Sequence, residues 1–266
     1  MCELFGVSAK HPIEANSRLN ELRLRGGLAA DNPDGWGLAW WENSAFRLAK
    51  EPQPAYQSTL FAALCESTRS NLIIAHVRKA NFPPINTLSN THPFLRTCCG
   101  KAWVFAHNGL LPDIVEMEQA HCKTACQPTG QTDSEYAFCH LLSHLAENFV
   151  NGGANAIGAA SFASLATVSE LIASHGKFNF LMSDGEHLIA YGHDRLHYLE
   201  NGSDAGDSVM VATEPLSSDE AWIAFEPGEL RIYRNGRLAG RIMTHPSIQT
   251  DWLEGPGLSP STVHSG

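Results

Sequence analysis

The chain has 266 residues with 28 acidic against 18 basic side chains, and its formal net charge of −10 opposes nucleic acid and anionic membranes as partners. At 43% hydrophobic and 17% charged residues the composition is that of a globular protein, and no run approaches the ~18 apolar residues of a membrane span. Glu3, Ser8 and Lys10 interrupt any signal-like start, so the cytoplasm is the expected location.

Residues 2–9 read as a strand, and 13–24 as a helix with Ile13, Leu19, Leu22 and Leu24 on roughly one side. The turn "RGGLAADNPDGWG" leads into strands at 37–41 and 45–50, and 58–66 has a helical pattern. "NLIIAHVR" (71–78) is a buried strand, followed by a polar, proline-bearing loop over 79–93. "AWVFAHNG" (102–109) is a second apolar strand, and its closing Asn-Gly marks a turn. Thr132 and Glu135 in "TDSE" form a capping box ahead of the apolar series Ala137, Phe138, Leu141, Leu142, Leu145 and Phe149. A further helix is expected over about 155–174, with Gly176 as its stop. From 177 the pattern changes to strands, with hairpin turns at Asp184-Gly185 and Asn235-Gly236. This order fits two antiparallel sheets with helical layers better than alternating β-α units. One domain is expected over 1–245, and 246–266 reads as a surface tail.

The seven cysteines are odd in number and irregular in spacing, a poor disulfide framework that fits a reducing compartment. His121, Cys122, Cys126, Cys139 and His140 come nearest to a metal signature. They lack a C-x-x-C pair, and adjacent helical residues point about 100° apart, so no metal site is expected there.

Cys2 directly follows the initiator methionine. If Met1 is trimmed, one residue carries both a thiol and a free α-amine, whose ordinary pKa of about 7.7–8.0 suits a general base. A cysteine nucleophile attacking an amide also needs an oxyanion hole and groups for the charged ends of its substrate. Asn108 and Gly109 offer an amide side chain and a backbone N–H; on their own they are equally a plain hairpin turn. Arg78, at a strand end, suits a carboxylate, although such arginines commonly form surface ion pairs. Asp133 lies in the first turn of the capped helix, where it complements the helix dipole or holds an ammonium.

Taken in order, "MCELFG", "RGG…DGWG", "AHVRKAN", "NTHPF", "FAHNG" and "TDSE" resemble the glutaminase domain of class II glutamine amidotransferases. The likeness runs from Cys2 to about Met243, and the stretch "VATEPLSSDEAW…PGE" looks like the small stand-alone, YafJ-like branch. The resemblance implies an α+β fold, the four-layer αββα sandwich of N-terminal-nucleophile hydrolases, with no cofactor. It implies that Cys2 is the nucleophile and its α-amine the base, and that Asn108 and Gly109 form the oxyanion hole. By the same likeness, Arg78 holds the α-carboxylate of glutamine and Asp133 its α-amino group. Arg25 and Gly26 then pack beside the N-terminus, His76, His92 and His107 support the site, and residues 79–92 form a loop that closes over the substrate.

The expected substrate is L-glutamine or another γ-glutamyl compound, cleaved through a γ-glutamyl thioester. Lys79 and Asn81 depart from the larger enzymes, which carry an aromatic residue and Thr or Ser at those positions. Residues 246–266 could not house an acceptor site. Three readings therefore stay open: a glutaminase working with a separate synthase subunit, a free-standing hydrolase of a larger γ-glutamyl amide, and a silent regulatory protein of the same fold.

Overall fold

The computed structural model describes residues 1–81, 85–112, 114, 126–152, 158–201, 207–218 and 220–247. The first strand, β1 (Glu3–Glu14), alternates strictly at its start: Leu4 faces one layer of the core while Phe5 and Val7 face another. It continues past Pro12 through a register shift between Ser8 and Ile13, so helix α1 (Asn16–Arg25) starts three residues later than its apolar pattern suggests.

Strands β2 (Trp36–Glu42) and β3 (Ala45–Glu51) form a hairpin, and helix α2 (Thr59–Ser67) follows. Ser58 caps α2 by accepting the Phe61 N–H at 3.0 Å, and the Phe61 ring stacks on Trp36 with centroids 4.3 Å apart. Strand β4 (Arg69–Val77) then lies between β1 and β2, leaving Arg78 just beyond its end.

Sequence reading gave no strand between the 79–93 loop and residue 102, but β5 (Phe94–Cys98) fills that gap. It pairs with β6 (Lys101–Leu110) through Cys99 and Gly100, whose φ values of 56° and 74° make a tight turn. The expected Asn108-Gly109 turn is absent; both residues sit inside β6, opposite Asn179 and Phe178 of β7 (Lys177–Ser183). Continuous pairing there outweighs the local turn preference of the dipeptide.

Helix α3 (Asp133–Gly152) begins where "TDSE" places it, with half of the expected capping box. Thr132 Oγ1 accepts the Glu135 N–H at 3.2 Å, while the Glu135 carboxylate reaches further back, to Thr129 N at 3.0 Å and Gly130 N at 2.6 Å. Helix α4 (Ala159–Ala173) packs beside α3. The Asp184-Gly185 turn joins β7 to β8 (His187–Gly192), and Asn235-Gly236 joins β12 (Glu229–Arg234) to β13 (Arg237–Met243), both as read from sequence. Between them lie β9 (His197–Asn201), β10 (Ser208–Ala212) and the two-residue β11 (Ile223–Ala224).

Two antiparallel sheets result, of order β11-β9-β10-β1-β4-β2-β3 and β13-β12-β8-β7-β6-β5. Leu4, Ile74 and Val211 meet Val104, Leu181 and Leu188 between them. Leu19, Leu22 and Phe61 of α1 and α2 cover the outer face of the seven-stranded sheet; Phe138, Leu142 and Ile172 of α3 and α4 cover that of the six-stranded one. The architecture is the expected αββα sandwich.

The cysteine reading needs correction, because Cys126 and Cys139 form a disulfide that ties the loop before α3 to the helix. His121 and Cys122 lie outside the described residues, as does nearly all of the expected tail. No helix among the described residues is long and apolar enough to cross a membrane.

Candidate active site

One end of the sandwich holds a cavity of about 310 Å³ lined by Cys2, Arg78, Lys79, His92, His107, Gly109 and Asp133, with the 131–134 turn as one wall. Four chain segments converge there, because β1 and α3 start at this side and β4 and β6 end at it.

The strand pairing of β1 carries Cys2 to the cavity. Its Sγ lies 3.2 Å from both the N and the O of Lys79, receiving one hydrogen bond and able to donate another. Burial pushes the Cys2 thiol above its ordinary range, against the pull of the Lys79 N–H and the Arg78 charge. The thiol is therefore protonated at neutral pH and needs a base before it can act as a nucleophile.

Behind Cys2, Glu3 is almost fully buried and paired with Arg25 at 3.0 Å. Arg25 also donates to Glu21 at 3.1 Å and to the Pro215 carbonyl at 2.8 Å, so α1 and the segment after β10 are fixed to the residue next to Cys2. Gly26 lets the end of α1 pack closely on Ala55, since a Cβ there would lie 2.3 Å from that of Ala55.

Arg78 is buried and holds the following loop with one nitrogen, Nη1, which donates to Ile85 O at 3.2 Å and Asn86 Oδ1 at 3.0 Å. Asn86 in turn donates to Asp34 Oδ1 at 3.2 Å, and Asp34 Oδ2 accepts the Ala80 N–H at 2.8 Å. Among the described residues Nε and Nη2 of Arg78 make no hydrogen bond, which leaves a side of the guanidinium open to a carboxylate. Lys79 points away to an ion pair with the exposed Asp31 at 2.7 Å.

Asp133 is held by the Leu111 N–H on Oδ2 and the Ser134 N–H on Oδ1, each at 2.8 Å. These bonds fix the carboxylate while leaving lone pairs for a cation. His107 donates from Nε2 to Lys177 O at 3.1 Å, so its Nδ1 accepts from Ser134 Oγ at 2.8 Å. It supports the start of α3, and burial lowers its pKa.

The rings of His76 and His92 pack at a tilt of 34° with centroids 4.3 Å apart, and burial drives the His76 pKa down to about 3 and that of His92 well below the ordinary range. Both are neutral at physiological pH. Gly37 lets the His92 backbone approach β2, where a Cβ would lie 2.1 Å from His92 O.

The Asn108 amide nitrogen donates to Cys2 O at 2.5 Å and to Thr213 Oγ1 at 3.2 Å, so both of its hydrogens are engaged in the chain that still carries Met1. Gly109 lines the cavity, and a side chain there would run into Lys177 O, 1.8 Å from the position of a Cβ. Thr213, Asn179, Asp34 and Asn86 carry much of this geometry, and sequence reading missed them all. Their only local signals were Asp34 in a Gly-rich turn and Thr213 directly after a strand.

The model of the class II glutamine amidotransferases matches residues 1–203 and 200–252. The chain belongs to that family. It is 33% identical over 256 residues to the "Putative glutamine amidotransferase YafJ" of Escherichia coli K12, covering 88% of this chain and 97% of that protein. It is 28% identical over 193 residues to the "Gamma-glutamyl-hercynylcysteine sulfoxide hydrolase" of Mycobacterium tuberculosis H37Rv, covering 72% of this chain and 71% of the relative. Among solved structures, a "predicted glutamine amidotransferase" from Pseudomonas aeruginosa superposes with a TM-score of 0.66 at 27% identity, over 90% of this chain and all of the other. The "allosteric regulatory enzyme of purine biosynthesis" shares the fold, with a TM-score of 0.66 at 19% identity over 93% of this chain and 50% of its own. Membership of this class II family and the kinship with amidotransferases and a hydrolase make the chain an enzyme.

Proposed function

We propose that this amidotransferase-family enzyme cleaves the γ-amide of L-glutamine with Cys2 as an N-terminal nucleophile. The observation that carries the reading is a single amino-acid-sized cavity in which a thiol, an arginine and a carboxylate meet. At about 310 Å³ the cavity is at the small end of ligand sites. The open side of Arg78 would take the α-carboxylate and Asp133 the α-ammonium, leaving the side-chain amide toward Cys2.

Removal of Met1 frees the α-amine, which accepts the thiol proton. Sγ then attacks the amide carbon, and the Asn108 amide with the Gly109 backbone N–H takes the charge developing on oxygen. To do so Asn108 must share the hydrogen it now gives to Cys2 O. The C–N bond breaks as the α-ammonium returns its proton, and ammonia leaves a γ-glutamyl thioester. Water, deprotonated by the same amine, releases glutamate and restores the thiol. The residues that support the site would be Arg25, Gly26, His76, His92 and His107.

A second reading is favoured by the hydrolase relative, which is named for a γ-glutamyl compound larger than glutamine. The two readings share the glutamyl end of the cavity and differ in the leaving group.

Intact mass before and after incubation with a glutamine-mimicking diazoketone tests the common part. The expected result is a chain lighter by one methionine that gains a single adduct, lost in Cys2→Ala. A trimmed chain that ignores the reagent and releases no ammonia from glutamine, and no amine from a γ-glutamyl anilide, would overturn the nucleophile assignment. Turnover of the anilide without turnover of glutamine would select the second reading.

A further inference from the structure

Thr213 follows β10 at the point where that strand's pairing with β1 reaches the nucleophile. It is fully buried and exchanges backbone and side-chain bonds with β1: its N–H donates to Leu4 O at 3.0 Å, and its Oγ1 accepts the Leu4 N–H at 2.9 Å. The same oxygen accepts one hydrogen of the Asn108 amide at 3.2 Å. The other hydrogen is thereby turned toward Cys2, whose carbonyl oxygen takes it. One hydroxyl oxygen thus joins the strand of the nucleophile, in one sheet, to an amide on β6, in the other.

We propose that Thr213 is a positioning residue for the reaction, setting the orientation of the Asn108 amide relative to Cys2. The proposal rests on the function inferred above. An amide side chain can rotate by half a turn, which would exchange its donor for its acceptor and present oxygen to the developing oxyanion. The Cys2 carbonyl, which can only accept, opposes that rotation, and Thr213 Oγ1, anchored by the Leu4 N–H, holds the second hydrogen and so fixes the plane in which the amide lies. The main chain of Asn108 is held separately, by Asn179, whose amide donates to Asn108 O at 3.2 Å. Loss of the Thr213 oxygen therefore releases the Asn108 side chain while leaving its strand in place. Such a change weakens stabilisation of the transition state and leaves the Arg78 and Asp133 contacts to the substrate untouched.

The test compares Thr213→Val and Thr213→Ser with the wild type and Cys2→Ala, on glutamine and a γ-glutamyl anilide. The valine variant is expected to lose about ten- to a hundred-fold in kcat with KM within about two-fold, and serine to restore kcat to within about three-fold. Circular dichroism and thermal unfolding report whether each variant is folded. Should valine fail to fold, Thr213→Cys, a poor acceptor of similar size, takes its place, with the same expected loss relative to serine. A folded valine or cysteine variant with the kcat of the wild type overturns the proposal, as does a variant that loses activity only through KM. A wild type inactive on both substrates, with Cys2 unreactive, overturns the functional reading and this proposal together. An active wild type keeps the two failures apart.

Discussion

At the scale of single residues, the fold keeps neutral a pair of histidines, of which His92 lines the cavity and His76 lies against it. His76 is wholly buried on β4 with its pKa near 3, and His92 packs against it with its own pKa depressed, in both cases chiefly by burial. In the unfolded chain each would take up a proton as pH falls through about 6.5. The unfolded state therefore binds more protons than the folded state below that point, and stability is lost as the pH is lowered. Each histidine contributes a slope of about 1.4 kcal/mol per pH unit, acting from about pH 6.5 downward and, for His76, ending near pH 3. Urea unfolding of the wild type is expected to show a midpoint that drops steeply between pH 6.5 and 5, and His76→Gln should flatten the dependence by about that slope. Equal slopes in the two proteins would mean that His76 is protonated in the fold. That Arg78, His92, His107 and Asp133 meet at one cavity was legible in the motif order, because each sits in a short run with an apolar strand or helix signal beside it. Thr213 was not, since its role depends on pairing with a strand 209 positions away, which no local window contains.

At the scale of elements, the start of α3 is built more firmly than a capping box requires. Glu135 is fully buried and accepts the N–H groups of Thr129 and Gly130, while Arg96 on β5 pairs with it from the six-stranded sheet. Asn90 extends the same network by accepting the Gln131 N–H at 2.9 Å, so the loop after Arg78 and the turn before Asp133 are tied together. Both segments border the cavity. Replacing Glu135 with alanine leaves two partly exposed N–H groups and a partly buried guanidinium without their acceptor, at a cost of roughly 1–3 kcal/mol. The expected outcome is a lower urea midpoint together with a raised KM for the substrate, since the turn carrying Asp133 loosens; a variant with lowered stability and unchanged KM would separate the network from the site. The sequence announced where this helix begins and which faces are apolar. It did not announce that the acidic capping residue would serve a turn further back, nor that Asn108-Gly109 would lie inside a strand. In each case a contact with a distant element overrode the local preference, and β5, short and half-exposed, gave too little pattern to be read.

For the whole molecule, the layered sandwich follows from apolar runs that alternate along strands and from helices with one apolar side, which is why the architecture could be read in advance. The cysteine pairing could not, because Cys126 and Cys139 meet only once the loop before α3 has folded back on the helix. Strand β1 lies inside the seven-stranded sheet, between β4 and β10, and this placement bears on how the enzyme comes into being. Cys2 leaves the ribosome among the first residues, whereas Thr213 and the strand beside it emerge about 211 positions later. At ordinary synthesis rates that gap is on the order of 10–40 s. During it β1 has an unpaired edge and Cys2 has no finished pocket, since contacts so distant in sequence form late. Nascent chains stalled at about residue 200 are expected to expose Cys2 to alkylation, and chains carried past residue 213 to protect it. The thiol made first thus waits for a strand made about two hundred residues later before its surroundings are complete, so a chain cut short of β10 would carry Cys2 without the neighbour that holds its strand.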